Sequence, residues 1–155
     1  MSTCSSAIPE VGNKAPAFSA LDSHGKKVKL GDFKGKPVVL YFYPKDDTPG
    51  CTVEAVAFQK HLEAFEKAGA AVVGVSPDDA ASHCKFADKY NLGFTLLCDT
   101  EHEVAQAYGV WVEKSMYGKK YWGVQRATFL IDGSGKVARV WPKVKPEGHA
   151  EEVLE

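Results

Sequence analysis

Long apolar runs are missing from this sequence. No stretch approaches the ~20 apolar residues that a membrane-spanning helix needs, and Met1 to Glu10 lacks the basic-then-apolar layout of a secretory signal. Charge of one sign is missing as well: 19 Lys and Arg stand against 20 Asp and Glu, spread along the chain, so nothing invites a nucleic-acid backbone or an anionic membrane surface. Cysteine is sparse. Cys4, Cys51, Cys84 and Cys98 fall at irregular spacings without a Cys-x-x-Cys, which speaks against a disulfide framework and against a dithiol oxidoreductase. The five histidines, His24, His61, His83, His102 and His149, show no ligand spacing to the cysteines and read as surface residues, so neither a metal nor an organic cofactor is expected. Repeats and low-complexity segments are absent too. These absences leave a cytoplasmic protein with small or neutral partners as the expectation.

What is present suits a single domain over residues 1–155, since a chain of this length with 45% hydrophobic residues can bury one core without staples. After a mobile start, Phe18 to Leu21 and Lys27 to Leu30 read as a hairpin turned through Asp22 to Gly25. Pro37 to Tyr43 is a continuous apolar run with β-branched and aromatic members, the mark of a central strand covered on both faces. Apolar residues at Val53, Val56, Ala57, Leu62 and Phe65 predict a helix ending near Gly69, followed by a buried strand over Ala70 to Val75. A helix from Ser76 to about Tyr90, a strand from Phe94 to Cys98, a short helix from Glu101 to Tyr108 and a hairpin of Arg126 to Ile131 with Lys136 to Trp141 complete the pattern. The alternation predicts an α/β fold of the thioredoxin-like kind: a central mixed β-sheet flanked by helices, with an N-terminal β-hairpin.

Cys51 stands at the junction of the central strand and the next helix. Unpaired backbone N–H groups and the positive end of the helix dipole favour an anion there, and a thiol is a good nucleophile only as its thiolate. A free cysteine is more often a small core residue, so position alone does not decide. The surrounding residues do. The run Tyr43-Pro44-Lys45-Asp46-Asp47-Thr48-Pro49-Gly50-Cys51-Thr52 resembles the Pro-x-x-x-Thr-x-x-Cys loop of peroxiredoxins, and its Asp-Asp-Thr-Pro-Gly-Cys-Thr core is similar to the Q subfamily, the bacterioferritin comigratory proteins. The resemblance continues at Gly12 to Phe18, Val73 to Ser76 and Arg126 to Asp132.

The resemblance implies a thiol peroxidase that reduces hydrogen peroxide and organic hydroperoxides through a sulfenic acid at Cys51, re-reduced by thioredoxin or a glutaredoxin-type donor, as a monomer or weak dimer. It implies that Thr48 hydrogen-bonds the peroxide, that Pro44 shields the thiolate, and that Arg126 contacts thiolate and substrate. Each role is chemically sensible, because peroxide cleavage puts negative charge on the departing oxygen, where a guanidinium and aligned donors act most strongly. Glu54, three residues into the helix, could orient Arg126 through a bidentate pair or simply complement the helix dipole.

The pattern breaks at Val56, where many Q-type proteins carry the resolving cysteine, and again at Ala87, where another branch carries it. Cys84 lies one turn from Ala87 and reads either as a displaced resolving cysteine or as a half-exposed bystander. Cys98 reads as core and Cys4 as part of a tail. Trp111, Tyr117, Tyr121 and Trp122 read as a packed loop near the rim of the site, with no basic groove to make them a nucleic-acid platform. Two rivals remain: a disulfide oxidoreductase on the same fold, and a redox-sensing or chaperone-like module without turnover.

Overall fold

The computed structural model describes residues 11–33, 35–44, 46, 49–116 and 118–141; Cys4, Thr48, Tyr117 and His149 lie outside them. The expected hairpin forms from β1 (Ser19–Asp22) and β2 (Lys27–Lys29). The Asp22 carboxylate closes its turn by accepting the backbone N–H groups of His24 and Lys26, both at 2.9 Å, which is what an Asp at a turn start does well. The apolar run becomes β3 (Val38–Phe42), buried at every residue. The expected long helix is interrupted at His61, whose backbone (φ −101°, ψ 8°) leaves helical geometry, giving α1 (Pro49–Lys60) and α2 (Leu62–Lys67). Val53 and Val56 are each 42% exposed. The buried stripe of α1 is instead Cys51, Glu54, Ala55 and Phe58, the i, i+3, i+4, i+7 set that shares one helix face.

Next come β4 (Ala71–Ser76), α3 (Ala80–Tyr90), β5 (Thr95–Cys98) and α4 (Glu103–Ala107). Ser76 belongs to β4, so α3 starts later than expected, at the Asp79 cap whose side chain accepts the Ser82 N–H at 2.9 Å. It ends at Asn91 in the left-handed conformation. The aromatic stretch is not a loop: β6 (Trp111–Met116) and β7 (Lys119–Val124) form a separate two-stranded sheet, turned through Gly118 at φ +78°. Its lysines, which interrupt the apolar alternation, hid it from a period-2 reading. Finally β8 (Ala127–Ile131) and β9 (Val137–Trp141) form the expected hairpin.

The main sheet runs β2-β1-β5-β4-β3-β8-β9. Its centre, β5-β4-β3, is parallel and its flanks are antiparallel. Strand alternation divides the core in two: Val38, Leu40 and Phe42 pack with α4, while Val39, Tyr41 and Tyr43 pack with α1, α2 and α3 on the other face. Among the described residues, no helix is long and apolar enough to cross a membrane.

Candidate active site

Strand register explains how a residue distant in sequence reaches Cys51. Phe42 stands opposite Ala127, so Arg126 lies just beyond the carboxyl end of β3. The chain leaves that same end through Tyr43 and the half-buried Pro44 and enters α1, whose third residue is Cys51, 1% exposed. The crevice at the carboxyl end of parallel strands is where open α/β sheets bind ligands. Arg126 lies near enough to Cys51 for the two side chains to interact, and it donates from Nη1 to Glu54 Oε1 at 3.0 Å. Burial opposes the guanidinium charge, but Cys51 and Glu54 together hold it above its ordinary value.

Glu54 is fully buried. Desolvation pushes its carboxyl up to about 7, with Arg126 pulling the other way. The pairing to Arg126 is through one oxygen, not the bidentate fork the sequence suggested. Among the described residues Glu54 Oε2 and the Tyr41 hydroxyl are buried without a hydrogen-bond partner. Tyr41 is pushed well up, first by burial and then by Glu54 and Cys51.

A second buried network lies alongside. His83 was expected at the surface, yet it is 0% exposed. Its Nε2 donates to the Leu97 carbonyl at 2.8 Å and its Nδ1 meets Asp46 Oδ2 at 2.7 Å. A carbonyl can only accept, so Nε2 carries a proton. Burial works against the ring's charge, but the Asp46 hydrogen bond and charge raise His83 above its ordinary value. Asp46 also accepts from the Tyr43 hydroxyl at 2.6 Å and from Ser82 Oγ at 2.8 Å, and its N–H donates to Asp78 Oδ2 at 2.7 Å. The donor atoms of Asp46, Asp78 and His83 lie within 4.8 Å of one another. Hydrogen bonds tie these residues into a strap, Asp46 to Asp78 through its backbone and to His83 through its side chain.

The other thiols look elsewhere. Cys84 Sγ donates to the Ser23 carbonyl at 3.0 Å and Cys98 Sγ to the Asp22 carbonyl at 3.6 Å. Cys98 is half-buried rather than core. Burial and then the nearby acids Asp22, Asp46 and Asp79 push it up to about 11. The reduced fold therefore joins Cys51, Arg126 and Glu54, and turns Cys84 toward the β1–β2 turn.

Comparison with known proteins decides what this arrangement belongs to. The AhpC/TSA family model matches residues 11–140. The putative peroxiredoxin bcp of Coxiella burnetii is 52% identical over 145 residues, 94% of this chain and 96% of that protein. Peroxiredoxin Bcp of Bacillus subtilis is 50% identical over 146 residues, 94% and 93% of the two chains. A solved structure of the Xanthomonas campestris bacterioferritin comigratory protein, studied for its alkyl peroxide reduction activity, superposes with a TM-score of 0.88 at 40% identity, covering 94% of this chain and 95% of that one. The chain belongs to the AhpC/TSA family of peroxiredoxins. It is thus an oxidoreductase, a thiol peroxidase that consumes a peroxide and a thiol reductant. Its thioredoxin-like fold is the one expected.

Sequence reasoning about this peroxiredoxin missed Asp46 and His83. The signal was available: His83, Phe86, Ala87 and Tyr90 stand at i, i+3, i+4, i+7, the buried face of α3. A histidine on such a face must find partners for both ring nitrogens.

Proposed function

We propose that this peroxiredoxin reduces hydrogen peroxide and organic hydroperoxides at Cys51. The Cys51 thiolate attacks one peroxide oxygen, the O–O bond breaks, Cys51 becomes a sulfenic acid, and the other oxygen leaves as water or an alcohol after taking up a proton. The observation that carries this reading is the placement of Cys51 at the start of α1, beside Arg126 at the carboxyl end of β3. A guanidinium stabilises both the thiolate and the charge that grows on the leaving oxygen, and more strongly in a buried site than in water. Glu54 fixes the guanidinium from behind. In this reading Thr48 donates to the peroxide and Pro44 keeps water off the sulfur, roles carried by the loop motif.

Cys84 serves as the resolving thiol, and thioredoxin or a glutaredoxin-type donor restores the reduced enzyme. A monomer or weak dimer in the cytoplasm is the form this reading takes, since the sparse, irregularly spaced cysteines suit a reducing compartment. Stopped-flow mixing with one equivalent of peroxide, followed by mass spectrometry of the Cys51 peptide, tests the central claim. One added oxygen or a disulfide at Cys51 is the expected product; an unmodified Cys51 after peroxide has been consumed would overturn it.

A further inference from the structure

The β1–β2 turn gathers two thiols, Cys84 and Cys98, and the chemistry described so far gives a part only to Cys84. His83 donates to the Leu97 carbonyl, so the residues immediately before Cys84 and Cys98 are hydrogen-bonded to each other. β1 lies against β5 with Leu21 opposite Cys98 and Asp22 opposite Leu97. The two sulfurs donate to successive carbonyls, Ser23 and Asp22. They are close enough that a charge on Cys84 raises Cys98. Cys51, by contrast, packs with Phe86 in one apolar cluster, and residues two apart on a helix point about 200° away from each other. In the folded enzyme the thiol beside Cys84 is therefore Cys98, with Cys51 on the other side of α3.

We propose that Cys84 and Cys98 form a dithiol pair that takes over the oxidising equivalent from Cys51, so that the disulfide offered to the reductant joins Cys84 to Cys98. This rests on Cys51 being the residue that peroxide oxidises. In the first step Cys84 sulfur attacks the Cys51 sulfenic sulfur, the S–O bond breaks, and hydroxide leaves as water with the Cys84 proton. That step needs the first turn of α3 to open, since a disulfide requires Cα atoms within ~7 Å. In the second step α3 closes and returns Cys84 to Cys98. Cys98 sulfur attacks Cys84 sulfur, the bond to Cys51 breaks, Cys51 departs as thiolate and the Cys98 proton goes to water. No electrons are gained or lost in this exchange; the reductant, an external dithiol, later supplies two.

Two features set the direction. Refolding of α3 favours the pair that the fold holds together. The Arg126 guanidinium beside Cys51 also receives the negative charge of the departing sulfur. With Cys98 held at about 11, it is protonated near neutral pH and a poor target for peroxide itself. The same value makes the transfer rate rise about tenfold per pH unit between pH 7 and 9, because only the thiolate attacks.

The test is rapid alkylation and peptide mapping of the parent protein at intervals after one equivalent of hydrogen peroxide. The expected sequence is a Cys51 to Cys84 linkage that gives way to a Cys84 to Cys98 linkage, with Cys51 again alkylated, and faster at pH 8 than at pH 7. In Cys98→Ser the first linkage should accumulate and persist. In Cys51→Ser peroxide should yield no disulfide, whereas diamide should still join Cys84 to Cys98. A Cys51 to Cys84 linkage that persists in the parent, or oxidation confined to Cys51, overturns the relay while leaving Cys51 as the oxidised residue. Peroxide consumption by Cys51→Ser would instead sink the reading of Cys51, and the relay with it.

Discussion

Around Cys51 the polar neighbour is a donor, the Arg126 guanidinium; around Cys84 and Cys98 the neighbours are acceptors, the carbonyls of Ser23 and Asp22, with three acids bearing on Cys98. The functional group is the same in both places. Donors and cations favour a thiolate, and acceptors and anions favour a thiol. One fold therefore sets its cysteines in two opposite kinds of surroundings. The two regions are strapped together: Asp46 lies in the loop that leads to Cys51, and its partners Ser82 and His83 precede Cys84 on α3. Opening α3 to bring Cys84 to Cys51 must break those bonds.

The contrast breaks most completely at Cys51. Cys51→Ser should reduce peroxide turnover to background, because a serine hydroxyl beside Arg126 remains un-ionised, and a coupled assay with a thiol donor reads this directly. The strap comes next. Asp46→Ala leaves the buried His83 ring without its hydrogen-bonded partner and should cost about 3–5 kcal/mol, measured by urea unfolding at pH 6. His83 sits above its ordinary value, so its contribution is complete below the ordinary histidine range and is lost as pH rises through the raised value. The stability gap between parent and Asp46→Asn should accordingly narrow from pH 6 to pH 9.

Arg126→Lys keeps the charge but loses the planar fork that serves Cys51 and Glu54 together, and the second-order rate with peroxide should fall roughly tenfold. An unchanged rate would remove the donor from the contrast. The smallest effect belongs to Glu54. Its carboxyl, pushed up to about 7 from 4.5, is neutral below that pH and holds Arg126 more weakly there. The peroxide step should slow by a few-fold, on the order of the strength of one charge-assisted bond, as pH falls through about 7. In Glu54→Gln that limb should vanish, leaving a flat profile across it in stopped-flow.

Much of this was legible in the sequence. The continuous apolar run Pro37 to Tyr43 read as a strand covered on both faces, and β3 fills it from Val38 to Phe42. The roles expected in the Pro44 to Cys51 loop came from its resemblance to the peroxiredoxin motif. The β6–β7 hairpin was not legible, since its lysines and exposed Trp122 give no apolar alternation. Nor was the buried stripe of α1, where Val53 and Val56 look like core and Glu54 is core.

The sequence by itself determined the local elements, the α/β class and the identity of the nucleophile's loop, because each is written in residues adjacent along the chain. Only the tertiary structure decided which charges meet. Antiparallel register set Arg126 at the end of β3, helix phase turned His83 inward and Cys84 toward the Ser23 carbonyl, and burial lifted Glu54 to about 7. Those outcomes depend on distances between residues tens of positions apart and on the water excluded around them, and neither quantity exists until the chain has folded.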